Sequence, residues 1–467
     1  MVASPASRVH VALPTKPALP DGLEVHHNSL YYHGIDLMAL IEKPISVQGH
    51  YEMPATPMYV RWLPALRQNY RALTQWFEAA KAITGYTGEF QIAFASKANP
   101  AQPVVQTLLC EGTAYECSSN FDVEIVRQAG AAGWLDQNRT ILANGFKTPA
   151  YTQNLLRLRA EGYSHLLPIF DDPDESKAFA DSGLTFEVGV RSRTNSAAIN
   201  RFGMDYDDLE IAARKIAASG NLRLTTFHAM QTLSAARGLQ YHAAMAASLR
   251  TYARLWHVAP SLRRFDLGGG LPAINSGMDF QDWLLQTQQM IMGICAEEGV
   301  PVPDLMVESG RFLVQTHACT LFKFMKSKLA DDDIPFYMID GSIMTNFPDA
   351  WALGDAFTVL PVNHWDSEFG LARLAGLTCD PDDVYPTRKM GDAMIEMPLD
   401  TEGLIIGFFD CGAYQETLGG KHGAKHCLMP EGPEIVMDEN EDGPFVCHYE
   451  RPQTADDVLG DLGYEPH

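Results

Sequence analysis

Eight short β-rich runs, each followed by an amphipathic helical stretch, constrain this chain more than any other feature. They read FQIAFASK ending at Lys97, AYECSS at Ser119, TILANG at Asn144, LLPIFDD at Asp171, TFEVGVR at Arg191, LRLTTFH at His228, RFDLGGG at Gly270 and DLMVESGR at Arg311. Between them, PAQPVVQTLLCEG, VEIVRQAGAAG, YTQNLLRLRAEG, LEIAARKIAASG, YHAAMAASLRTYARLW and FQDWLLQTQQMIMGICAEEG space their apolar residues three and four apart, with glycine near several ends. Strands alternating with helices imply parallel pairing, because a parallel neighbour is reached only by a crossover. Eight such units over about 220 residues match the usual size of a (β/α)₈ barrel. An open doubly wound sheet would normally use fewer strands.

From about Pro335 the rhythm changes to FYMID, FTVLPV and LIIGFFD, separated by Pro, Gly and Asp clusters with little helix. The expected fold class is therefore α/β: a TIM-like (β/α)₈ barrel plus a C-terminal all-β domain. LEVHHNSLYYHG and the stretch near Ile45 offer that domain an N-terminal strand. The expected division is 1–55 for the arm and strand, 56–328 for the barrel and 329–467 for the β domain. A chain of 467 residues is long enough for one large core and a smaller one.

Composition narrows the function classes. A net charge of -23 argues against a nucleic-acid partner and mildly favours cationic ligands. No apolar run is long enough to cross a bilayer. The opening segment is broken by proline and lacks the apolar stretch of a secretory signal, so the expected compartment is the cytoplasm. Eight cysteines without CxxC pairs read as reduced thiols.

Active sites of such barrels lie at the carboxyl ends of the strands. Here those ends carry Lys97, Ser119, Asn144, Arg191, His228, Gly268, Gly269, Gly270, Glu308 and Arg311. A lysine among apolar neighbours is expected to have a lowered ammonium pKa, which frees its amine to attack an aldehyde. The alternative is a lysine reaching out to solvent. Three glycines after the seventh strand let backbone N–H groups approach an anion, at the place where these barrels commonly bind phosphate. Arg311 suits phosphate oxygens. Glu308 either pairs with Arg311 or faces a pyridine nitrogen, and His228 is either a core histidine or a ring-stacking one.

FASKANP around Lys97, FDVEIVRQAG, INRFGM, FDLGGGLPA, VESGR, TCDPDD and GAYQETLGG, in this order, resemble the fold-type III pyridoxal-phosphate decarboxylases. That family includes ornithine, arginine and diaminopimelate decarboxylases, and the similarity spans roughly residues 56 to 430. IDGSIMTNFPDAWALGDAF, LTCDPDD and FFDCGAYQETLGGKH are most similar to the biosynthetic arginine decarboxylases, of which this chain would be a shortened relative. The resemblance implies pyridoxal 5'-phosphate as cofactor, held by Lys97 through a Schiff base, with Glu308 at the pyridine nitrogen and His228 on the ring. It places the phosphate on Gly270, Arg311 and Tyr414, with Gly268, Gly269 and Gly310 among the cofactor-binding residues. It makes Cys379 a proton donor shared across a homodimer, and Asp380 and Asp340 acidic residues for the distal cation of a small amino-acid substrate. The implied reaction is loss of CO₂ from that substrate, with arginine to agmatine, a polyamine precursor, as first choice.

Ornithine, lysine or a specialised amino acid are alternatives. Diaminopimelate fits less well, because its distal carboxylate wants a cationic partner. A racemase would need a second base and leaves TCDPDD unexplained, and a non-catalytic homologue would not keep Cys379 with Asp380. Two departures stand out: Ala229, Met230 and Gln231 follow His228 where the family often has a Gly-Ser pair, and Asp122 stands where glutamate is usual. His422, His426 and Cys427 in KHGAKHC are loosely spaced for zinc and lack an evident fourth ligand, so no metal is expected.

Overall fold

A computed structural model of the protein describes residues 16–47, 50–52, 55–193, 201–230 and 238–465. All eight β-rich runs are strands, β1 (Phe90–Ala95), β2 (Ala114–Cys117), β3 (Ile141–Ala143), β4 (Leu166–Phe170), β5 (Phe186–Arg191), β6 (Leu222–His228), β7 (Arg264–Asp266) and β8 (Asp304–Ser309). They pair in parallel in sequence order and close, β8 onto β1, into a barrel. The six helical stretches are helices, and Thr148, Asp205 and Asp279 cap three of them by accepting a backbone N–H.

Strands buried on both faces need small and branched residues that interlock in layers. Ala93, Ala114, Leu142, Leu167, Ile169 and Met306 form such a cluster. With its lower part filled by apolar side chains, the barrel can concentrate polar groups only toward one end.

The second unit comprises residues 1–62, 318–411 and 418–467; the barrel unit comprises 63–317 together with 412–417. Both boundaries differ from 55/56 and 328/329, for one reason. The strand Met58–Trp62 pairs antiparallel with the first residues of Ala318–Leu329, so both belong to the β sheet that follows the barrel in sequence. Ala318–Leu329 also pairs with Ile405–Phe409 and Pro335–Ile339, and Glu434–Asn440 runs parallel to Met58–Trp62. Leu23–His26, Ser29–Tyr32 and Ile35–Asp36 form a separate small sheet in the same unit, so Met58–Trp62 is the N-terminal strand that completes the large one. Its core is aromatic, with Phe347 stacked on Phe408 at 4.3 Å and Phe322 edge-on to both.

Candidate active site

Lys97 sits in a single helical turn, Ser96–Ala98, directly after β1. Its Nζ lies 3.4 and 3.3 Å from the two carboxylate oxygens of Glu116 and 3.3 Å from Ser118 Oγ. This corrects the expectation of a lowered pKa. Burial does pull the ammonium down, but Glu116, Glu308 and Tyr414 outweigh it, so the pKa lies above that of ordinary lysine. The protein stores Lys97 as a cation on a carboxylate.

Glu116 is fully buried on β2 and also accepts from Ser118 Oγ at 2.8 Å and Asn144 Nδ2 at 3.0 Å. The same Asn144 nitrogen donates to Glu308 Oε1 at 2.7 Å, so one amide ties together two buried carboxylates. His228 Nε2 lies 3.8 Å from that Glu308 oxygen. Asp266 on β7 accepts from the Gly268 N–H at 2.8 Å. Burial and the neighbouring Glu308 push Asp266 well above the carboxylate range. Among the described residues its Oδ2 meets no donor, and a proton there, bonded toward Glu308, satisfies both groups.

The open requirements of this ring describe what it can hold. Among the described residues, both nitrogens of buried His228 lack a hydrogen-bond partner, and burial, with Arg191 and Lys97, holds the imidazole neutral. A flat, neutral face is thus presented beside Glu308. Gly268 has φ +71°, and a Cβ there would come 2.8 Å from His228 Nε2 and from Met230 Sδ. A Cβ on Gly310 would come 2.9 Å from the Ala98 side chain and 3.4 Å from the Tyr414 hydroxyl. At both positions a side chain would crowd its neighbours, so glycine is what fits there. Tyr414, at φ +68°, donates its N–H to Ala98 O at 2.7 Å. The Arg311 guanidinium lies 5.2 Å from the Tyr414 ring and donates to Gln315 Oε1. A ring site beside Glu308 and His228 and an anion site along Gly268, Gly269, Gly270, Gly310, Arg311 and Tyr414 fit pyridoxal phosphate. Gln231 and the first two residues of INRFGM lie outside the described residues.

Other strand-end residues support the ring. Ser119 and Ser118 donate backbone N–H groups to Asp122 Oδ2, both at 2.8 Å, so the shorter acid at 122 fastens the loop after β2. Arg191 pairs with Asp171 at 3.8 Å and lies over Phe202. Sequence reasoning missed Glu116, Asp266 and Lys147. Lys147 is buried, donates to Gly145 O and Ile169 O, and has a pKa pushed down to about 8 by burial.

Asp340, Cys379 and Asp380 belong to the β unit. Asp340 accepts from Thr56 Oγ1 at 2.5 Å and from the Lys323 N–H at 2.8 Å. Cys379 is exposed. Asp380 Oδ1 accepts from the Asp382 N–H, and among the described residues nothing donates to its Oδ2. The loop bearing both is pinned by buried Asp383, which accepts from Ser342 Oγ, the Met344 N–H, and the N–H and hydroxyl of Thr378. Asp383→Ala strands these donors and is expected to cost roughly 2–3 kcal/mol in urea unfolding. A cost under about 0.5 kcal/mol would show that the clamp contributes little.

His422 pairs with Glu431 and Glu450, and Cys427 Sγ lies 3.5 Å from Cys379 Sγ. Among the described residues, the one trio whose ligand atoms all lie within 4.8 Å of one another is His228, Asp266 and Glu308, inside the barrel.

Comparison with known proteins returns the same theme. Residues 71–315 match the family model described as pyridoxal-dependent decarboxylase, pyridoxal binding domain. Arginine decarboxylase 1 of Oryza sativa subsp. japonica is 23% identical, over 92% of this chain and 77% of that one. The biosynthetic arginine decarboxylase of Campylobacter jejuni superposes with a TM-score of 0.78 at 18% identity, covering 95% of this chain and 91% of that one. Diaminopimelate decarboxylase of M. jannaschii, in complex with L-lysine, superposes with a TM-score of 0.76 at 18% identity, covering 96% and 98%.

Proposed function

Because the chain belongs to the pyridoxal-dependent decarboxylases, we propose that it removes the α-carboxylate of a basic amino acid, converting arginine to agmatine. The observation that carries the substrate choice is Asp380, a carboxylate with an uncommitted oxygen one residue from Cys379. A guanidinium matches a carboxylate edge with two parallel hydrogen bonds. The rice and C. jejuni arginine decarboxylases support the same reading.

Bound pyridoxal phosphate supplies an electron sink for the charge left at Cα when CO₂ departs. Lys97 would anchor it, and Glu116, at 3.3 Å from Nζ, is the group placed to take the proton that its amine must first lose. Glu308, tied to the Asn144 amide, would face the pyridine nitrogen and favour its protonated form. His228 offers an uncharged face to the ring. Gly268, Gly269, Gly270, Gly310, Arg311 and Tyr414 take the phosphate. Cys379 would return a proton to Cα; a thiol, with an ordinary pKa of about 8.5, is already protonated near neutrality. Asp340 adds negative charge for the distal cation while holding Thr56 and the Lys323 amide.

Our reading of the assembly is a cytoplasmic homodimer in which Cys379 serves the partner's barrel. All eight cysteines are free, and no helix among the described residues is long and apolar enough to cross a membrane.

L-Arginine is expected to yield CO₂ and agmatine in equal amounts, with kcat/KM on the order of 10²-fold above L-ornithine or L-lysine. D-Arginine and diaminopimelate should be inert. Bound cofactor with no turnover of arginine would overturn the reading. Glu116→Gln removes the proton acceptor for Lys97 and is expected to slow cofactor capture about 10²-fold, followed by absorbance after mixing with pyridoxal phosphate. An unchanged capture rate would remove Glu116 from that role.

A further inference from the structure

We propose that Cys379 and Cys427 form a reversible redox pair whose disulfide removes the proton source of the reaction. The proposal rests on the reading of Cys379 as that proton source. The two Sγ atoms stand 3.5 Å apart, and the Cys379 N–H points at Cys427 Sγ, also at 3.5 Å. Both thiols are exposed, whereas Cys117, Cys295, Cys319 and Cys411 are buried among core residues. The chance approach of two solvent-facing thiols 48 positions apart in sequence is improbable in a chain with so few.

A disulfide needs the sulfurs at about 2.05 Å, so they must close by about 1.5 Å, which side-chain rotation supplies. The two sides differ in freedom. Cys379 rides on the loop held by Asp383, while Cys427 lies at the centre of the single turn His426–Leu428, at φ +57°. The adjustment therefore falls on the Cys427 side.

The oxidant is a peroxide. One thiolate attacks the peroxide oxygen, forming a sulfenic acid as the O–O bond breaks and hydroxide leaves, which becomes water by taking up the proton that the thiol had released. The other sulfur then attacks that sulfenic sulfur and expels a second water. Two thiols and one hydrogen peroxide thus give one disulfide and two waters. A low-molecular-weight dithiol returns two electrons and two protons and restores both thiols. Because the neighbouring Cys427 raises the proton affinity of the Cys379 thiol, oxidation quickens as pH rises above neutral.

The test uses the full-length, cofactor-loaded protein exposed to hydrogen peroxide, then alkylated and mapped by peptide mass analysis. The expected result is a cross-linked Cys379–Cys427 peptide pair, two fewer titratable thiols, and at least a tenfold fall in decarboxylation that dithiothreitol reverses. Cys427→Ser should keep full activity when reduced and lose the dithiothreitol-reversible component. If both cysteines remain alkylatable after oxidation, or Cys379 is found bridged elsewhere, the pair is overturned. Reduced Cys379→Ala, measured alongside, separates the two ideas. A large activity loss there without any disulfide leaves the proton-source reading standing and removes the switch. Unchanged activity there removes the reading itself, whatever the thiols do.

Discussion

Lys97→Ala is expected to reduce decarboxylation by on the order of 10⁴-fold or more, because it removes the group that anchors the cofactor and directs its exchange. Folding should be almost untouched. The Lys97 side chain is 47% exposed, and its partners Glu116 and Ser118 keep other hydrogen bonds when it is removed. The variant should therefore melt within a few degrees of the parent while lacking the absorbance of lysine-bound pyridoxal phosphate. A variant that keeps most of its turnover would assign the anchor elsewhere.

Glu434→Ala is expected to be the most damaging change for stability, by about 3–5 kcal/mol. Arg61, fully buried on the strand Met58–Trp62, meets Glu434 through Nε at 2.7 Å and Nη2 at 3.2 Å, and Lys421 adds a third contact at 2.7 Å. Burial raises the Glu434 pKa, but the two cations outweigh it and hold it near about 2. An unfolded glutamate titrates near about 4.3. A folded pKa below the unfolded one gives stability that is complete above the unfolded value and disappears as pH falls through the folded one. The pair should thus contribute about 3 kcal/mol at neutral pH, lost between roughly pH 4 and 2. Urea titrations of parent and Glu434→Ala across that range should converge at the acid end. Parallel curves would mean the ion pair is not the source.

The barrel was legible because its signals are periodic and local: an apolar strand, a polar end, an amphipathic helix, eight times over. The domain boundary was not, because Met58–Trp62 and Ala318–Leu329 are defined by pairing with each other across most of the chain. The ring at the barrel mouth was legible at the last residue of each strand. It was not legible further back in two of the runs, at Glu116, three residues before Ser119, and Asp266, four before Gly270, both fully buried strand positions. A charged residue inside an otherwise apolar strand is the signal that would have found both. The sign of the Lys97 shift needed Glu116, since apolar neighbours alone predict the opposite direction. The Cys379–Cys427 approach had no sequence signal, as nothing in a 48-residue separation announces contact.

The central claim is that Lys97, in this ring, is the residue that holds pyridoxal phosphate and yields it to a basic amino acid. Borohydride reduction of the loaded protein, followed by peptide mapping of the phosphopyridoxyl group, tests this most directly. The account predicts one label, on Lys97, and its transfer to the amino acid when L-arginine is added before reduction. A label on Lys147, the buried lysine of lowered pKa, or a Lys97 label that no basic amino acid displaces, would contradict it.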